Sequence, residues 1–194
     1  MRGFLKGRKA AGAALAACAG LAVAAQVSTA AAAVLLNFEG LAQGAQIGDF
    51  YAGQGVSFSA TGMACRDADA GGDCDIANEP SGDTGMYFEF GGAAAINVAE
   101  GFTTSLSLFY SAAAAASVRG YVGLNGTGNL VAEIDLLAQS NESCSGDPNG
   151  LYCNWTEISV AFAGIARSVD FGAAVGVVAF DDILLGSADP GSEV

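Results

Sequence analysis

The clearest structural signal in this chain lies at residues 118–136, which read VRGYVGLNGTGNLVAEIDL. Two runs of strand-forming residues, 118–124 and 130–136, flank the polar and glycine-containing segment 125–129. This pattern is typical of a β-hairpin, because Asn and Gly adopt the backbone conformations that a tight turn between antiparallel strands requires. The stretch therefore predicts two antiparallel strands.

Further segments with period-two alternation occur on both sides of this hairpin. They are 34–39, 55–59, 86–90, 95–98, 105–110, 158–162, 168–171 and 177–185. After residue 33, no segment has a convincing apolar period of 3.6 residues. Many short strands separated by Gly, Asn and Asp turns predict an all-β fold, an antiparallel β-sandwich of the jelly-roll type.

The first 33 residues have the three-part layout of a secretory signal peptide. Basic residues stand near the start, an Ala/Leu/Val run spans 10–27 and small residues fill 28–33. An uncleaved membrane anchor is the alternative, but the apolar run is marginal for a bilayer span. We predict a helical signal peptide at 1–33, a β-sandwich domain at 34–187 and a disordered tail at 188–194.

The predicted mature chain is strongly acidic. All 20 acidic residues follow residue 33, against only three basic ones, Arg66, Arg119 and Arg167, which gives a formal charge of −17. Nucleic acid and anionic membrane surfaces are therefore poor partners, because both need cationic patches. Cations are good partners, although solubility alone would also account for the charge.

Four cysteines follow the predicted signal peptide, and an even number in an exported chain indicates disulfides. Their spacing favours two local pairs, Cys65–Cys74 and Cys144–Cys153. Each short loop would stabilise the fold by about 2–3 kcal/mol in the chain-entropy model. A four-cysteine metal site is the weaker alternative, because neither pair has the tight spacing of zinc ligands.

Missing residue types exclude several chemistries. The chain has no His, and no Lys follows residue 33. Catalysis by Ser-His-Asp or Cys-His groups, imidazole metal ligands and Schiff-base chemistry are therefore excluded. A carboxylate pair for glycoside hydrolysis remains, but any chain with 20 acidic residues contains such pairs. We predict that the protein is not an enzyme.

The first candidate site is Phe180-Asp181-Asp182-Ile183 in the last predicted strand. Adjacent strand residues point to opposite faces, so one carboxylate should be buried unless a bulge intervenes. A buried carboxylate requires a cation, backbone donors or a proton. Calcium, which prefers oxygen ligands, is one solution. An Asp that caps a turn through backbone N–H groups is another.

The two ends of the domain resemble the opening and closing strands of MAM-type and carbohydrate-binding jelly rolls. The matching segments are LNFEG at 36–40 and AFDDI at 179–183. In those families the early Glu and a late Asp help to hold a structural calcium. The resemblance implies Glu39 and Asp181 as calcium ligands, with Asp182 adjacent.

More of the chain is similar to bacterial exported proteins that carry PEP-CTERM sorting tails. The similar segments are FEGL at 38–41, FY at 50–51, GVSF at 55–58, NEPS at 78–81, GFTT at 101–104 and FDDI at 180–183. The resemblance implies an extracytoplasmic β-sandwich, often linked to surface polysaccharide or biofilm. The Pro-Glu-Pro motif, membrane helix and basic end of such tails are missing here, which favours release over surface sorting.

A second candidate ion site is an acidic cluster beside the first disulfide, formed by Asp67, Asp69, Asp73 and Asp75. Its spacing partly matches a calcium loop with Gly at the sixth position. It departs from that loop at the fifth position, a glycine, and at the twelfth, an asparagine. An irregular calcium loop and a solvated acidic hairpin tip both remain open.

Aromatic side chains are the third candidate feature, as a stacking platform for sugars. Tyr152 and Trp155 lie beside the second disulfide loop and form the best local pair. Packing in the core is the alternative, because most aromatic residues in alternating strands are buried.

These features together predict a non-catalytic exported β-sandwich, secreted or at the cell surface, with a structural calcium and extracellular polysaccharide as its partner. That last step depends on family analogy. A structural matrix protein without a small ligand and a carboxylate-based glycan hydrolase are the alternatives.

Overall fold

The computed structural model describes residues 33–142, 144–146 and 150–187. Residues 1–32 of the predicted signal peptide and the predicted tail at 188–194 lie outside the described residues, so those assignments stay predictions. Within the described part, no helix combines the length and the apolar character that crossing a bilayer requires.

Eleven strands make up the described part of the chain. They are β1 (Val34–Leu36), β2 (Val56–Phe58), β3 (Gly62–Arg66), β4 (Thr84–Phe88), β5 (Ala95–Phe102), β6 (Ser105–Ala112), β7 (Ala116–Tyr121), β8 (Leu130–Leu136), β9 (Thr156–Ala161), β10 (Ala166–Asp170) and β11 (Val178–Leu185). Two short 3₁₀ turns, Ala52–Gln54 and Gly172–Ala174, follow the same chain order.

The strands form two antiparallel sheets. One sheet has the order β3-β4-β11-β6-β9, with β1 also paired to β11. The other has the order β2-β5-β10-β7-β8. Neighbours in each sheet are mostly distant in sequence, as expected when strands cross between two layers. The all-β, antiparallel sandwich prediction is confirmed.

The hairpin at 118–136 forms as predicted, with β7 paired to β8. Asn125 and Gly126 at its tip have φ angles of 54° and 68°, the left-handed values that these two residue types tolerate best. Arg119 lies opposite Glu133 across the pair, and their side chains form an exposed ion pair at 2.7 Å.

A series of aromatic rings joins the two sheets. Phe58 of β2, Phe88 of β4, Phe171 after β10 and Phe180 of β11 alternate between the layers, with successive ring centroids 6.5, 5.0 and 4.9 Å apart. All four rings are buried in the main core. Burying each ring contributes about 2–3 kcal/mol of hydrophobic free energy, so this series is a major part of what holds the layers together.

A β-bulge interrupts the pairing of β11 with β6. Asp181 pairs with Phe109 and Leu184 with Ser107, so β11 has one more residue between these positions than β6. Asp182 lies in the bulge with a φ of 45°. Aspartate is one of the few residues besides glycine that tolerates this left-handed conformation.

The bulge reverses the inward alternation along β11. Before it, Val178 and Phe180 pack in the main core, and after it, Ile183 and Leu185 do. Strict alternation would place one of the two acidic residues on each face. The structure instead places Asp181 at the edge of the bulge and Asp182 within it, and both are buried.

Both disulfides join the predicted partners. The Cα atoms of Cys65 and Cys74 are 5.5 Å apart, and those of Cys144 and Cys153 are 5.6 Å apart. These separations are typical of disulfides. Each bridge closes a loop, and a parallel bridge between Ile76 and Tyr152 joins the two loop regions to each other.

Candidate functional site

A groove of about 470 Å³ lies on the outer face of the six-stranded sheet. Its walls carry three aromatic rings, Tyr87, Phe90 and Tyr152, and two carboxylates, Asp75 and Glu89. We call this feature the aromatic groove. A concave, mostly apolar site with a few polar groups is the usual form of a small-ligand pocket.

Strand β4 positions one wall of the aromatic groove. Phe88 points into the core, so the flanking Tyr87 and Glu89 point outward by strand alternation. The Tyr87 hydroxyl donates to Glu89 Oε1 at 3.4 Å. Phe90 follows at the end of the strand, and its side chain is 77% exposed.

Gly176 supports the exposed Phe90 ring. A Cβ atom at this glycine would overlap the ring, and its φ of 69° is in the left-handed region. Glycine is favoured at this position because it has no Cβ to overlap the ring and adopts a left-handed φ without steric strain. The ring therefore lies against the backbone at the mouth of the groove, although most of its surface is in water.

Two disulfide-closed loops form the opposite wall. The Tyr152 N–H donates to the Asp75 carbonyl at 3.0 Å, and the Leu151 N–H donates to Asp75 Oδ1, also at 3.0 Å. These bonds hold Tyr152 and Asp75 side by side. The Cys65–Cys74 disulfide itself lines the groove, so the wall is covalently fixed to strand β3.

Trp155 does not line the aromatic groove, although the sequence pairs it with Tyr152. Both rings pack against a second small apolar cluster outside the main core, with Ile76 and Ala179. The Trp155 Nε1–H donates to the Ala77 carbonyl at 2.9 Å. Sequence reasoning did not select Phe90, and the run Tyr87-Phe88-Glu89-Phe90 is the local signal for it.

Burial and nearby negative charge both raise the pKa values of the tyrosines in the groove. Burial raises the pKa of Tyr87, and the nearby Glu89 carboxylate raises it further. Burial also raises the pKa of Tyr152, with a smaller contribution from Asp75. Both hydroxyls therefore stay protonated and can donate hydrogen bonds. Among the described residues, no arginine lines this groove.

Two buried carboxylates lie at the β11 bulge, away from the groove lining. Asp181 Oδ2 accepts from the Ser81 N–H at 3.1 Å and from its hydroxyl at 3.3 Å. The Asp182 N–H donates to Asp181 Oδ1 at 2.7 Å. Ser81 Oγ also lies 2.9 Å from Asp182 Oδ1. Backbone and hydroxyl donors therefore satisfy Asp181.

Glu39, the other predicted calcium ligand, lies in the same part of the fold. Its Oε1 accepts from the Asp83 N–H at 3.1 Å and the Thr84 N–H at 2.9 Å. Gly82 has a φ of 47°, and a Cβ there would overlap the Glu39 carboxylate. The backbone turn at 82–84 is thus folded around this side chain.

Tyr51 lies close enough to these three acidic residues for their charges to act on its hydroxyl. Burial raises the pKa of Tyr51 to about 12, and the charges of Asp181, Glu39 and Asp182 raise it as well, while the Phe38 N–H that bonds to its oxygen lowers it. That N–H lies 2.7 Å from the Tyr51 oxygen. The charges of Glu39, Asp181 and Asp182 all act on Tyr51, so the three residues lie in the same region of the fold.

The arrangement favours backbone capping and a retained proton at the bulge. Burial, followed by the charge of Asp182, raises the pKa of Asp181 to about 9. Across the described residues, no group of three or more His, Cys, Asp or Glu side chains has the geometry to hold a metal ion. Calcium at Glu39, Asp181 and Asp182 stays a prediction.

The acidic cluster of the first disulfide loop surrounds a small cavity of about 290 Å³. Asp67, Asp69, Asp73 and Asp75 all line it. Asp67 Oδ1 accepts from the Asp69 N–H at 2.9 Å, which is an Asx turn of the loop itself. The structure brings these four side chains together, and calcium binding there also stays a prediction.

The outer face of the five-stranded sheet has a different character. Its polar side chains bond to the tip of the β7–β8 hairpin: Asn97 and Asn125 form two hydrogen bonds of 2.7 and 2.8 Å, and Ser168 Oγ donates to the Gly123 carbonyl at 2.6 Å. These bonds hold the tip of the hairpin against strands β5 and β10.

No family model and no curated protein matches the sequence. One similar solved structure is a glycoside hydrolase family 43 arabinoxylan arabinofuranohydrolase from Bacillus subtilis in complex with cellotetraose. It has 14% identity and a TM-score of 0.42 over 69% of this chain, and the match spans only 26% of that enzyme. A carbohydrate-binding module from Cellvibrio mixtus lichenase 5A, in complex with cellotriose, has 11% identity and a TM-score of 0.41, covering 82% of this chain and 99% of the module.

A third similar structure is TmCBM61 in complex with β-1,4-galactotriose, with 11% identity and a TM-score of 0.37, covering 68% of this chain and 87% of that one. At these identities and TM-scores the likenesses carry no argument about function. The fold agrees with the resemblance to carbohydrate-binding jelly rolls, and the resemblance to PEP-CTERM proteins stays a prediction.

Proposed function

We propose that this protein is a non-catalytic, exported β-sandwich that binds polysaccharide through the aromatic groove. One observation carries the proposal: three aromatic rings, Tyr87, Phe90 and Tyr152, line one groove together with two carboxylates. Sugar rings present apolar C–H faces and a rim of hydroxyls. Aromatic rings bind the faces, and carboxylates and tyrosine hydroxyls accept or donate hydrogen bonds at the rim.

The groove wall is built before any ligand arrives. Gly176 holds the Phe90 ring, and the Cys65–Cys74 disulfide fixes the loop that carries Asp75. Preorganised groups lose little conformational entropy on binding, which increases affinity for a given set of contacts. An exposed ring that packs on backbone at a groove mouth is well suited to stack on a sugar.

The position of the buried carboxyl group of Asp181 favours binding without catalysis. Asp181, whose pKa is raised to about 9, is fully buried and does not line the groove. A general acid in glycoside hydrolysis must have a raised pKa and must also reach the glycosidic oxygen. Asp181 has a raised pKa but does not reach the groove, so it meets only the first condition. The disulfides support an oxidising, extracytoplasmic location.

Removal of the groove rings tests this function. We expect Phe90→Ala and Tyr152→Ala each to weaken binding to a polysaccharide found on a glycan array by about fivefold, because each stacking contact is worth about 1 kcal/mol. Isothermal titration calorimetry measures the change, and melting temperatures confirm that each variant is folded.

Phe50→Ala is the matched control, because Phe50 is also an exposed phenylalanine, at 51%, but lies outside the aromatic groove. Unchanged affinity in the two groove variants, or no bound glycan on a broad array, would favour a structural matrix protein without a ligand. Release of reducing ends from the bound glycan by the wild-type protein would favour a hydrolase.

A further inference from the structure

The polar groups of the aromatic groove are acidic. Asp75 and Glu89 line it, both are exposed, and they come from opposite walls, one from the first disulfide loop and one from the end of strand β4. Glu89 accepts a hydrogen bond from the Tyr87 hydroxyl, which holds it beside that ring. A ligand in the groove therefore meets aromatic faces and carboxylates together.

No positive group from the described residues balances these carboxylates inside the groove. None of the three arginines that follow residue 33 lines it: Arg66 borders a separate cavity beside Glu39, and Arg119 pairs with Glu133 on the other sheet. The acidic balance of the whole chain acts in the same direction. A cationic ligand would therefore be attracted to this groove and an anionic one repelled.

We propose that the polysaccharide bound in this groove carries free amino groups, that is, 2-amino sugars without their acetyl groups. This inference rests on the proposed glycan-binding function and names its substrate class. An ammonium group binds favourably over the faces of Tyr and Phe rings through cation–π attraction. It also donates charge-assisted hydrogen bonds to carboxylates such as Glu89 and Asp75.

Other glycan classes fit this groove less well. An N-acetyl group has no charge, so it gains neither the cation–π contact nor the ion pair. A uronic acid or a sulfated sugar would place its anion beside two carboxylates with no nearby cation, which is unfavourable in a partly desolvated groove. The aromatic rings alone would bind neutral sugars, and the carboxylates add the preference for the amine.

Oligosaccharides that differ only at carbon 2 test the inference. The probes are glucosamine, N-acetylglucosamine and glucose tetrasaccharides in both β-1,4 and β-1,6 linkage, with tetralysine as a charge control. Titrations run at about pH 6, where amines are protonated and exposed carboxyl groups are ionised. We expect the amine form to bind at least tenfold more tightly than both others, and added salt to weaken its binding.

Glu89→Gln should reduce amine-glycan affinity by about fivefold or more and neutral-glycan affinity by clearly less, because it removes one charge and keeps the side-chain shape and a hydrogen-bonding oxygen. Glu100→Gln, an exposed residue of β5 outside the groove, is the charge-matched control and should change nothing. The two variants together separate a local contact from the overall field of the protein.

Each remaining outcome decides a different claim. Equal or tighter binding of the neutral or acetylated forms overturns the amine preference and leaves glycan binding in place. Tetralysine binding as tight as that of the amine glycan, with the same dependence on Glu89, overturns it in favour of non-specific charge attraction. Binding of none of these probes, combined with an empty glycan array, overturns the proposed function itself.

Discussion

Two adjacent buried acids at the β11 bulge are the least expected feature at the scale of single residues. Asp181 is completely buried, and Asp182 is 7% exposed. Ionising both side by side in the interior would be costly, because like charges repel strongly where water is excluded. Burial and the Asp182 charge raise the pKa of Asp181 to about 9, so Asp181 retains its proton at neutral pH.

A retained proton has a definite effect on stability. The unfolded chain releases this proton near the ordinary carboxyl pKa of 3.8, whereas the folded protein holds it up to about pH 9. Between those two values the folded state binds more protons than the unfolded state. The contribution of Asp181 to the free energy of unfolding is therefore greatest below the lower value, falls as pH rises through this window, and is constant above it.

Asp182→Asn should raise the melting temperature in metal-free buffer. The substitution removes the neighbouring charge, keeps an oxygen for Ser81, and suits the left-handed backbone at this position. We expect a small difference near pH 4, where Asp181 is protonated in both proteins, and a stabilisation that grows to about 1 kcal/mol toward pH 9, where the Asp182 charge opposes ionisation of Asp181. Thermal melts of both proteins across this range measure it.

Asp135→Asn is the control for this experiment, because Asp135 is exposed on strand β8 and should show no such trend. A lower melting temperature for Asp182→Asn at every pH would contradict the account. That result would mean that the ionised Asp182 carboxylate is needed, either by a bound cation or by another contact.

The calcium prediction has its own test at the same residues. If calcium binds at Glu39, Asp181 and Asp182, EDTA should lower the melting temperature of the wild-type protein by several degrees, because a ligand that binds only the folded state stabilises it by mass action. Added calcium should restore it, and Asp182→Asn should abolish both effects. Unchanged melts with EDTA and with calcium would remove the ion from the account.

At the scale of the strands, local pattern predicted most of the architecture. The hairpin at 118–136 was readable because turn residues and strand residues alternate within one short stretch. The bulge in β11 was not, because the run Phe180-Asp181-Asp182-Ile183 is compatible with a regular strand, and only the pairing with β6 shows the extra residue. The two acidic residues were found from sequence, but not their shared burial.

The aromatic groove was only partly predictable. Tyr152 was selected because it lies near a disulfide, but Phe90 looked like any strand-end aromatic. The ring of Phe90 becomes part of the groove through its contact with Gly176, which is distant in sequence. Tyr152 becomes part of it through the pairing of Ile76 with Tyr152 across two loops. Such contacts depend on how the loops fold over the sheet, and residue spacing does not determine that.

The first disulfide loop should control both stability and the groove. Replacing Cys65 and Cys74 together with Ala removes the loop constraint, and we expect a loss of about 2–3 kcal/mol of unfolding free energy in urea denaturation. Glycan affinity should fall as well, because Asp75 and Tyr152 are held through this loop. Peptide mapping without reduction should recover the Cys65–Cys74 link in the wild-type protein.

A Cys65–Cys144 link in that map would contradict the pairing. Full glycan affinity in the folded double variant would show that the loop is not part of the binding site. The peptide map therefore tests the pairing, the unfolding measurement tests the contribution of the disulfide to stability, and the binding measurement tests the role of the loop in the site.

At the scale of the whole molecule, the two outer faces of the sandwich differ in a way that assigns them different roles. On the five-stranded sheet, Asn97 and Asn125 bond to each other at the hairpin tip. The six-stranded sheet carries an open groove with exposed aromatic and acidic side chains. Ligand contacts are therefore expected on one face only.

Nuclear magnetic resonance mapping with a glycan ligand tests this central claim most directly. On titration of the isotopically labelled protein, the backbone amide signals of Tyr87, Glu89, Phe90 and Tyr152 should shift progressively, and those of Asn97 and Asn125 should not move. Shifts confined to the hairpin face, or spread evenly over both faces, would contradict the assignment of the groove as the binding site.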